Sequence, residues 1–368
     1  MPINTHQIYS REATVYLVKG EHKLDTFLKT VEQSQFIKHV LDKWENSGKS
    51  RDDFLIAIKP NIMTASTHEV DSPVYTDPEL VEKLIQLLRE EGFTRFSVVE
   101  APNVFSYSYT GRTVAAVAAF CGYSGEGYDI VDLGDDTVEF DYGGVLGKHS
   151  IGRTWFEADY RISFAKNKSH WQCFYTACLK NVYGCLPKWD KMKHYHGKNI
   201  EFFQATVLIA DKLPVDFGFL DAWTSGDGLT GHVRDPKPNL TRTFFASENI
   251  YALDWVAGEK MGLNPADNYV IQAAMNLWGP VRAVPQGDMT VWYPWRNIRP
   301  FVIKMLNFLE ECYWFSRFMS RAMANKMDAR FPPVKQCQWF FGTTQTLTRW
   351  FEPVLEWLTT KKTKPQSG

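Results

Sequence analysis

Residues 54–61 read FLIAIKPN, an apolar run that ends in a lysine, a proline and an asparagine. The run from Phe54 to Ile58 has the composition of a buried β-strand. Proline at position 60 predicts that strand pairing stops there, because proline has no backbone N–H to donate. We therefore expect Lys59 and Asn61 at the carboxyl end of this strand.

A helix pattern follows the first strand. Residues 76–79, TDPE, place a capping residue just before a proline, which is typical of the first turn of a helix. Leucines at positions 80, 84, 87 and 88 then form an apolar stripe that stops before Gly92. This segment is predicted to be a crossover helix.

Two further strands continue the alternation. Residues 96–99 lead to Glu100 and residues 128–131 lead to Asp132, with a short alanine-rich helix near 113–120 between them. Alternating strands and helices predict an α/β fold with a mostly parallel, Rossmann-like sheet and crossover helices. Right-handed crossovers bring the ends of such strands to one edge of the sheet, where open α/β folds bind ligands. Polar residues also follow strands simply because loops are solvated, so a structural explanation stays open for each of them.

The strand of most functional interest is predicted over residues 161–170, RISFAKNKSH. Side chains alternate along a strand, so Ile162, Phe164, Lys166, Lys168 and His170 would share one face. That face begins in the apolar core and ends in two lysines and a histidine.

The next residues, 171–184, read WQCFYTACLKNVYG and predict a short helix that Gly184 ends. Spacings of three and four would put Cys173, Thr176 and Lys180 on one face of it. Lysine ammonium groups, a hydroxyl and the free amides of a helix N-terminus together suit a phosphate or a carboxylate. Lysines at strand ends are also often merely solvated, which is the structural alternative.

Two histidines follow in the segment 188–196, KWDKMKHYH. His194 and His196, together with His170, are candidate ligands of a divalent metal. Alternatively, one of the three serves as an acid or base, since histidine titrates near pH ~6.5. Most single histidines are structural, so the metal site is one of several interpretations.

A further strand is predicted from Val215 to Asp221, and a second aspartate follows its end. Residues 226–231, GDGLTG, contain Asp227 and match the spacing GxGxxG, but two prolines follow where a nucleotide-binding helix would begin. We therefore predict no NAD-binding fingerprint here. Asp221 and Asp227 are candidates to orient a metal, a lysine or a substrate hydroxyl, although aspartates also form turns.

An aspartate also interrupts an otherwise apolar helix pattern. Residues 244–247 predict a strand, and Asn249 caps the helix that follows and contains Asp254. A carboxylate in such a position usually has a buried hydrogen-bond partner.

The order of these motifs resembles the family catalogued as domain of unknown function 362 (DUF362), over roughly residues 50–280. The resemblance rests on an ordered set, which is more specific than any one motif: KPN at 59–61, TDPELVEKLIQLLREEGF at 76–93, VDL at 131–133, KNKSH at 166–170, LKNVYG at 179–184 and ALDWVAGEKMGL at 252–263. It implies an α/β domain but no reaction. It also implies a site drawn from the matched positions Lys59, Asn61, Glu100, Lys168, His170, Lys180, Asn181, Asp221 and Asp254.

Many DUF362 relatives also carry a ferredoxin-like iron–sulfur module. The six cysteines of this chain include no CxxC pair, so we expect no iron–sulfur cluster. Scattered cysteines, the lack of a signal-peptide pattern and the lack of ~18 continuous apolar residues predict a cytoplasmic protein without a transmembrane segment. The balance of 41 basic and 42 acidic residues offers no overall field that would select nucleic acid.

The strand end with lysines and a histidine is also faintly similar to the nickel-pincer lactate racemase family. That similarity implies movement of a proton or hydride at the α-carbon of a small carboxylate. We treat it as an indication of chemistry only.

The C-terminal third is rich in aromatic and basic residues. The spacing from Ile298 to Met319 is helical, with a wide apolar face. We expect this face to pack against the protein's own core or a second subunit, with a membrane surface or an apolar substrate as alternatives. The predicted regions are an α/β domain over 1–280, an aromatic-rich helical extension over 281–358 and a disordered tail over 359–368.

Taken together, the sequence favours an enzyme that acts on an anionic small metabolite, which could carry an apolar tail, with oxidoreductase or isomerase-type chemistry. The predicted catalytic residues are His170, Lys180, His194, His196 and Asp254. The predicted substrate-binding residues are Lys59, Asn61, Lys166, Lys168, Thr176, Asn181, Asp221 and Asp227. The alternative is a non-catalytic protein that docks a ligand or partner through residues 292–357, as a homo-oligomer or at a membrane surface.

Overall fold

The computed structural model describes residues 5–63, 71–103, 105–188, 191–194, 200–228, 238–315, 318, 331–338, 357 and 360–362. The strands are β1 (Ala13–Lys19), β2 (Leu55–Pro60), β3 (Arg95–Glu100), β4 (Asp129–Asp132), β5 (Thr137–Asp141), β6 (Lys148–Gly152), β7 (Tyr160–His170), β8 (Phe174–Thr176), β9 (Phe217–Gly226), β10 (Pro238–Ser247), β11 (Ala283–Gly287), β12 (Arg296–Ile298) and β13 (Thr360–Lys362). The helices are α1 (Thr5–Ser10), α2 (Lys23–Gln33), α3 (Phe36–Glu45), α4 (Pro78–Glu90), α5 (Val114–Cys121), α6 (Arg153–Glu157), α7 (Cys178–Val182), α8 (Lys191–His194), α9 (Ile200–Lys212), α10 (Ile250–Lys260), α11 (Tyr269–Trp278) and α12 (Pro300–Glu310).

One large sheet organises the chain. Its strand order is β11-β1-β10-β9-β7-β2-β3-β4, and the short β8 pairs with β7. The five neighbours β9, β7, β2, β3 and β4 run parallel to one another. Strand β10 runs antiparallel to both of its neighbours. The α/β prediction with a mostly parallel sheet is therefore confirmed.

Helices cover both faces of this sheet. Helices α2, α3, α4 and α5 contribute to the core that includes Phe164 of β7. The neighbouring residue, Ala165, points into the opposite core, to which α7, α9, α10 and α11 contribute. The predicted crossover helix is α4, with Asp77 as its capping residue and Leu80, Leu84 and Leu88 buried.

The segment after β7 differs from the predicted helix over 171–184. The chain first turns back as β8, which pairs antiparallel with the end of β7 and places Thr176 opposite Lys168. Helix α7 begins only at Cys178. Strand β7 extends beyond its neighbour β2, whose last paired residue is Pro60, so the end of β7 needs another pairing partner and β8 supplies it.

Strand β9 also extends further than expected. Asp221 was predicted to end it, whereas the strand continues to Gly226 because β10 pairs with it along that length. Asp221 consequently lies within the sheet, beside Lys166 of β7. This position buries its carboxylate completely.

The main sheet and its core continue past the predicted boundary at 280. Strand β11 pairs with β1, and Trp295 and Ile303 are buried in the core. Within the described part of the predicted long helix from Ile298, α12 covers residues 300–310 and Ile298 itself lies in β12. Residues 360–362, assigned to a disordered tail, instead pair with β12.

Helix α12 packs only one side against the core. Val302 and Ile303 are buried, while Phe301, Met305 and Phe308 are exposed. Within the residues that the structure describes, no helix has the length and apolar character needed to cross a bilayer.

The aromatic contact of Phe27 offers a test of this fold. Its ring is fully buried and lies 5.4–5.7 Å from the rings of Phe164, Phe219 and Phe244. Phe27→Ala should lower the free energy of unfolding by about 3–5 kcal/mol in urea denaturation, because it leaves a cavity under the sheet. The matched control is Phe301→Ala, 59% exposed in the wild type, which should change it by less than about 0.5 kcal/mol. Equal effects of the two substitutions would contradict this packing.

Candidate functional site

A buried ion pair joins the carboxyl ends of β2 and β3. Lys59 Nζ lies 2.7 Å from Glu100 Oε2, and the two side chains are only 1% and 4% exposed. The same ammonium group donates to the carbonyl oxygen of Pro60 at 2.6 Å and to Asn181 Oδ1 at 3.2 Å. Lys59 is therefore a fixed positive charge at the carboxyl edge of the sheet, in agreement with its predicted place.

Asn181 of α7 connects this pair to the neighbouring strands. Its amide nitrogen donates to the carbonyl oxygen of Lys59 at 2.7 Å and to Ser163 Oγ at 3.2 Å. Asn61 donates to Asn181 Oδ1 at 3.3 Å. The buried Oδ1 of Asn61 has no hydrogen-bond partner among the described residues.

The backbone at Gly184 touches the same ion pair. A Cβ atom at this position would come within 2.5 Å of both Glu100 Oε1 and Lys59 Cε. Position 184 therefore requires glycine for close approach, a reason that differs from the helix-ending role expected from the sequence.

Asp254 of α10 fixes the start of α7. Its carboxylate accepts hydrogen bonds from the amides of Cys178 at 2.8 Å and Leu179 at 2.9 Å. Burial raises the pKa of Asp254 to about 8, although the amides of α7, including that of Lys180, oppose the shift. The buried partner expected for this aspartate is thus the backbone at the start of α7, and its predicted catalytic role stays a prediction.

A second buried ion pair lies one strand away. Lys166 Nζ is 2.9 Å from Asp221 Oδ2, and both side chains are almost completely buried. The carboxylate also accepts from the backbone amides of Asp77 at 3.2 Å and Trp223 at 3.1 Å. Burial raises the pKa of Asp221, and Lys166 counteracts this.

Lys168 lies further along β7, in surroundings that disfavour its charged form. Its ammonium donates to the carbonyl oxygen of Val74 at 2.7 Å. Burial lowers the pKa of Lys168 well below its ordinary value, and repulsion from Lys180, Lys166 and Lys59 adds to this shift. Opposite it, the buried hydroxyl of Thr176 has no hydrogen-bond partner among the described residues.

Two more lysines meet at the ring of Tyr183. Lys180 Nζ lies 4.6 Å and Lys191 Nζ lies 5.2 Å from the centre of that ring. Burial and nearby Lys59 lower the pKa of Lys180. Burial, with Lys59 and Lys180, lowers the pKa of Lys191 to about 8. We call Lys59, Lys166, Lys168, Lys180 and Lys191 the lysine cluster.

Lys191 was not among the residues singled out from the sequence. It lies in a segment with three lysines at 188, 191 and 193, and no local pattern there distinguishes Lys191 from the other two. Its burial at the edge depends on where α8 docks.

The structure describes two of the three predicted histidines, His170 and His194. His170 ends β7, half-buried, and its Nδ1 accepts from the amide of Gln172 at 3.2 Å. His194 lies edge-on to His149 with 5.9 Å between ring centres, and burial lowers the pKa of His149. His196 lies outside the described residues, and within them no three His, Cys, Asp or Glu side chains form a group suited to a metal. The three-histidine metal site stays a prediction.

Asp227 is engaged by Arg296. The guanidinium lies 2.8 Å from its carboxylate, and the backbone amide of Arg296 donates to the same carboxylate at 2.9 Å. This pair ties the end of β9 to β12. Residues 229–231, the rest of the predicted GDGLTG segment, lie outside the described residues, so a substrate-binding role for Asp227 stays a prediction.

Comparison with known proteins places these residues in a family context. The family model for DUF362, a domain of unknown function, matches residues 56–259. The chain is 28% identical over 225 residues to the thylakoid-associated protein sll1697 of Synechocystis sp. (strain ATCC 27184 / PCC 6803 / Kazusa). That match covers 57% of this chain and 64% of the relative's length.

Among solved structures, the lactate racemase apoprotein from Thermoanaerobacterium thermosaccharolyticum matches 60% of this chain and 52% of its own. The TM-score is 0.34 and the sequence identity is 12%. Similarity at this level leaves the function of the chain open.

The role of Asp254 can be tested by its removal. Asp254→Ala leaves buried amides of α7 without an acceptor, at a cost of ~1–3 kcal/mol each, so the free energy of unfolding should fall by about 3 kcal/mol or more. The control is Glu259→Ala, on the exposed side of the same helix, with an expected change of about 0.5 kcal/mol at most. Wild-type stability of Asp254→Ala in chemical denaturation would disprove the positioning role.

Proposed function

The chain belongs to the DUF362 family, and we propose that it is an enzyme whose lysine cluster binds a small anionic metabolite at the carboxyl edge of the sheet. The observation that carries this proposal is the convergence there of Lys168, Lys180 and Lys191, whose pKa values are all lowered. Burying ammonium groups near one another costs folding free energy. A bound carboxylate or phosphate would offset that cost through charge-assisted hydrogen bonds.

The lysines of the cluster divide into two groups. Lys59 and Lys166 each contact a buried carboxylate, which fixes their positions and satisfies their charge. The lowered pKa values of Lys168, Lys180 and Lys191 mean that their surroundings disfavour the charged form. A bound anion would favour the charged forms of these three residues and so offset the effect of their surroundings.

Lys180 is the best candidate for proton transfer. It is half-buried, whereas the other four lysines of the cluster are almost completely buried. A lowered pKa gives it a larger fraction of neutral amine near neutral pH, and a neutral amine can accept a proton. Proton movement at the α-carbon of a bound carboxylate, an isomerase or oxidoreductase type of step, fits this arrangement.

Anion binding should depend on the three lysines and on pH. With acetate, lactate, succinate and inorganic phosphate as probes in isothermal titration calorimetry, Lys168→Met, Lys180→Met and Lys191→Met should each weaken binding about tenfold or more. Lys38→Met, at an exposed lysine of α3, should bind like the wild type. Because the pKa of Lys191 is about 8 and a bound anion favours its charged form, binding should take up protons and weaken as pH rises above 8.

Two results would argue against this assignment. One is that none of the four probes binds the wild-type protein. The other is that the cluster variants bind no more weakly than Lys38→Met. Proton uptake is read from the dependence of the binding enthalpy on the ionisation enthalpy of the buffer.

A second candidate function is docking on an anionic membrane surface through α12. Phe301, Met305 and Phe308 recur at helical spacing on its exposed side, and Phe308 is 70% exposed. Residues 292–338 carry more basic than acidic side chains. Apolar and aromatic side chains interleaved with basic residues are typical of helices that lie in a membrane interface. The relative named above is described as thylakoid-associated, which agrees with this candidate.

Vesicle binding tests this second function. The double variant Phe301→Ser with Phe308→Ser should lower co-sedimentation with vesicles of phosphatidylcholine and phosphatidylglycerol by about tenfold or more, because it removes two apolar side chains from the interface. Phe156→Ser, at a partly exposed phenylalanine of α6, is the control and should sediment like the wild type. Binding that survives the double variant would exclude α12 as the contact.

A further inference from the structure

We propose that Lys180 forms a Schiff base with a 2-oxo acid whose carboxylate the neighbouring lysines hold. This inference rests on the proposed function, since it names the substrate class and the covalent step at the same site. The geometry that leads to it is one half-buried lysine beside lysines that are almost completely buried.

Lys180 is held in place by the start of α7. Asp254 accepts hydrogen bonds from the backbone at the beginning of this helix, and Asn181 ties it to β2 and β7. The Lys180 side chain is therefore presented at the edge from a short helix that is fixed on two sides. Of the five lysines in the cluster, Lys180 is the most exposed residue.

A carboxylate next to the reacting carbonyl would meet further lysines. Lys180 and Lys191 both approach the ring of Tyr183, so their side-chain nitrogens lie on the same small region of the edge. Lys168 lies near enough to Lys180 for the two to repel each other. A molecule attached to Lys180 can therefore place an adjacent carboxylate within the field of Lys168 and Lys191, and 2-oxo acids have their carboxylate in that position.

The condensation is balanced without an oxidant or reductant. The neutral amine of Lys180 attacks the carbonyl carbon and gives a carbinolamine, which loses its hydroxyl group and the remaining amine proton as water. A C=N bond replaces the C=O bond, and one water molecule is released. Lysines become nucleophiles of this kind when burial or a neighbouring cation lowers their pKa, and both conditions hold for Lys180.

Two unpartnered polar atoms lie at the same edge. The hydroxyl of Thr176 and Oδ1 of Asn61 are buried and lack hydrogen-bond partners among the described residues. Buried polar atoms in folded proteins are almost always hydrogen-bonded, so such atoms suggest a ligand or water in the functional state. Thr176 lies opposite Lys168, and Asn61 bonds to the residue after Lys180. The Thr176 hydroxyl can therefore hydrogen-bond to the hydroxyl group of the carbinolamine, and Asn61 Oδ1 can accept a hydrogen bond from it.

Reductive trapping tests the inference. Wild-type protein is incubated with sodium cyanoborohydride and one of pyruvate, 2-oxobutyrate, 2-oxoglutarate or phenylpyruvate, and is then analysed by intact-mass and peptide-mapping mass spectrometry. We expect one reduced adduct per chain, mapped to Lys180, with at least one of these acids. Lys180→Arg should reduce the label at least tenfold, while Lys38→Met, which changes an exposed lysine of α3, should retain it.

The same experiment separates this inference from the function on which it rests. Lactate has the size and charge of pyruvate but no ketone group, so its binding reports on anion recognition alone. If lactate binds through the lysine cluster and none of the four 2-oxo acids labels Lys180, the Schiff base is excluded and anion binding stands. If the label maps to another lysine, or persists in Lys180→Arg, the assignment to Lys180 is overturned. If none of the four anion probes and none of the 2-oxo acids binds, both proposals fail.

Discussion

A lysine ammonium can be buried at a strand end only if its three N–H groups find acceptors, and Lys59 meets this condition with Glu100, the carbonyl of Pro60 and Asn181. Two of these acceptors are supplied by β2 and β3, but the third must come from α7. Helix α7 therefore has to dock directly on the ends of the strands. Glycine at position 184 permits this approach, and the carboxylate of Asp254 holds the start of the helix against α10.

This docking determines the electrostatics of the whole edge. It brings Lys180 close to the fixed charge of Lys59, while the extension of β7 beyond β2 brings Lys168 to the same place. Glu100 and Asp221 are already in contact with Lys59 and Lys166, so they compensate the remaining lysines only at longer range. The lowered pKa values thus follow from the path of the backbone as much as from the residue types present.

The sequence predicted well what depends on neighbouring residues. The apolar run FLIAIKPN and the TDPE cap located β2 and α4, and alternation in RISFAKNKSH located the lysines at the end of β7. The sequence did not predict the features that depend on partners distant along the chain. The β8 hairpin forms because the end of β7 needs a pairing partner, Asp221 lies within β9 because β10 extends that strand, and the burial of Lys191 depends on the docking of α8. None of these has a local signal.

The lysines of the cluster differ in environment, and this difference favours a role in ligand binding over a role in stability. A protein gains little by burying an ion pair, and apolar side chains of similar volume often serve stability as well or better. Lys59 and Lys166 are compatible with a structural role, since each has a carboxylate in contact. Lys168, Lys180 and Lys191 are different, because burial and mutual repulsion make their charged forms unfavourable in the folded protein. Residues that lower stability in this way are expected at sites where binding or chemistry uses them, and Thr176, left without a hydrogen-bond partner among the described residues, lies directly beside them.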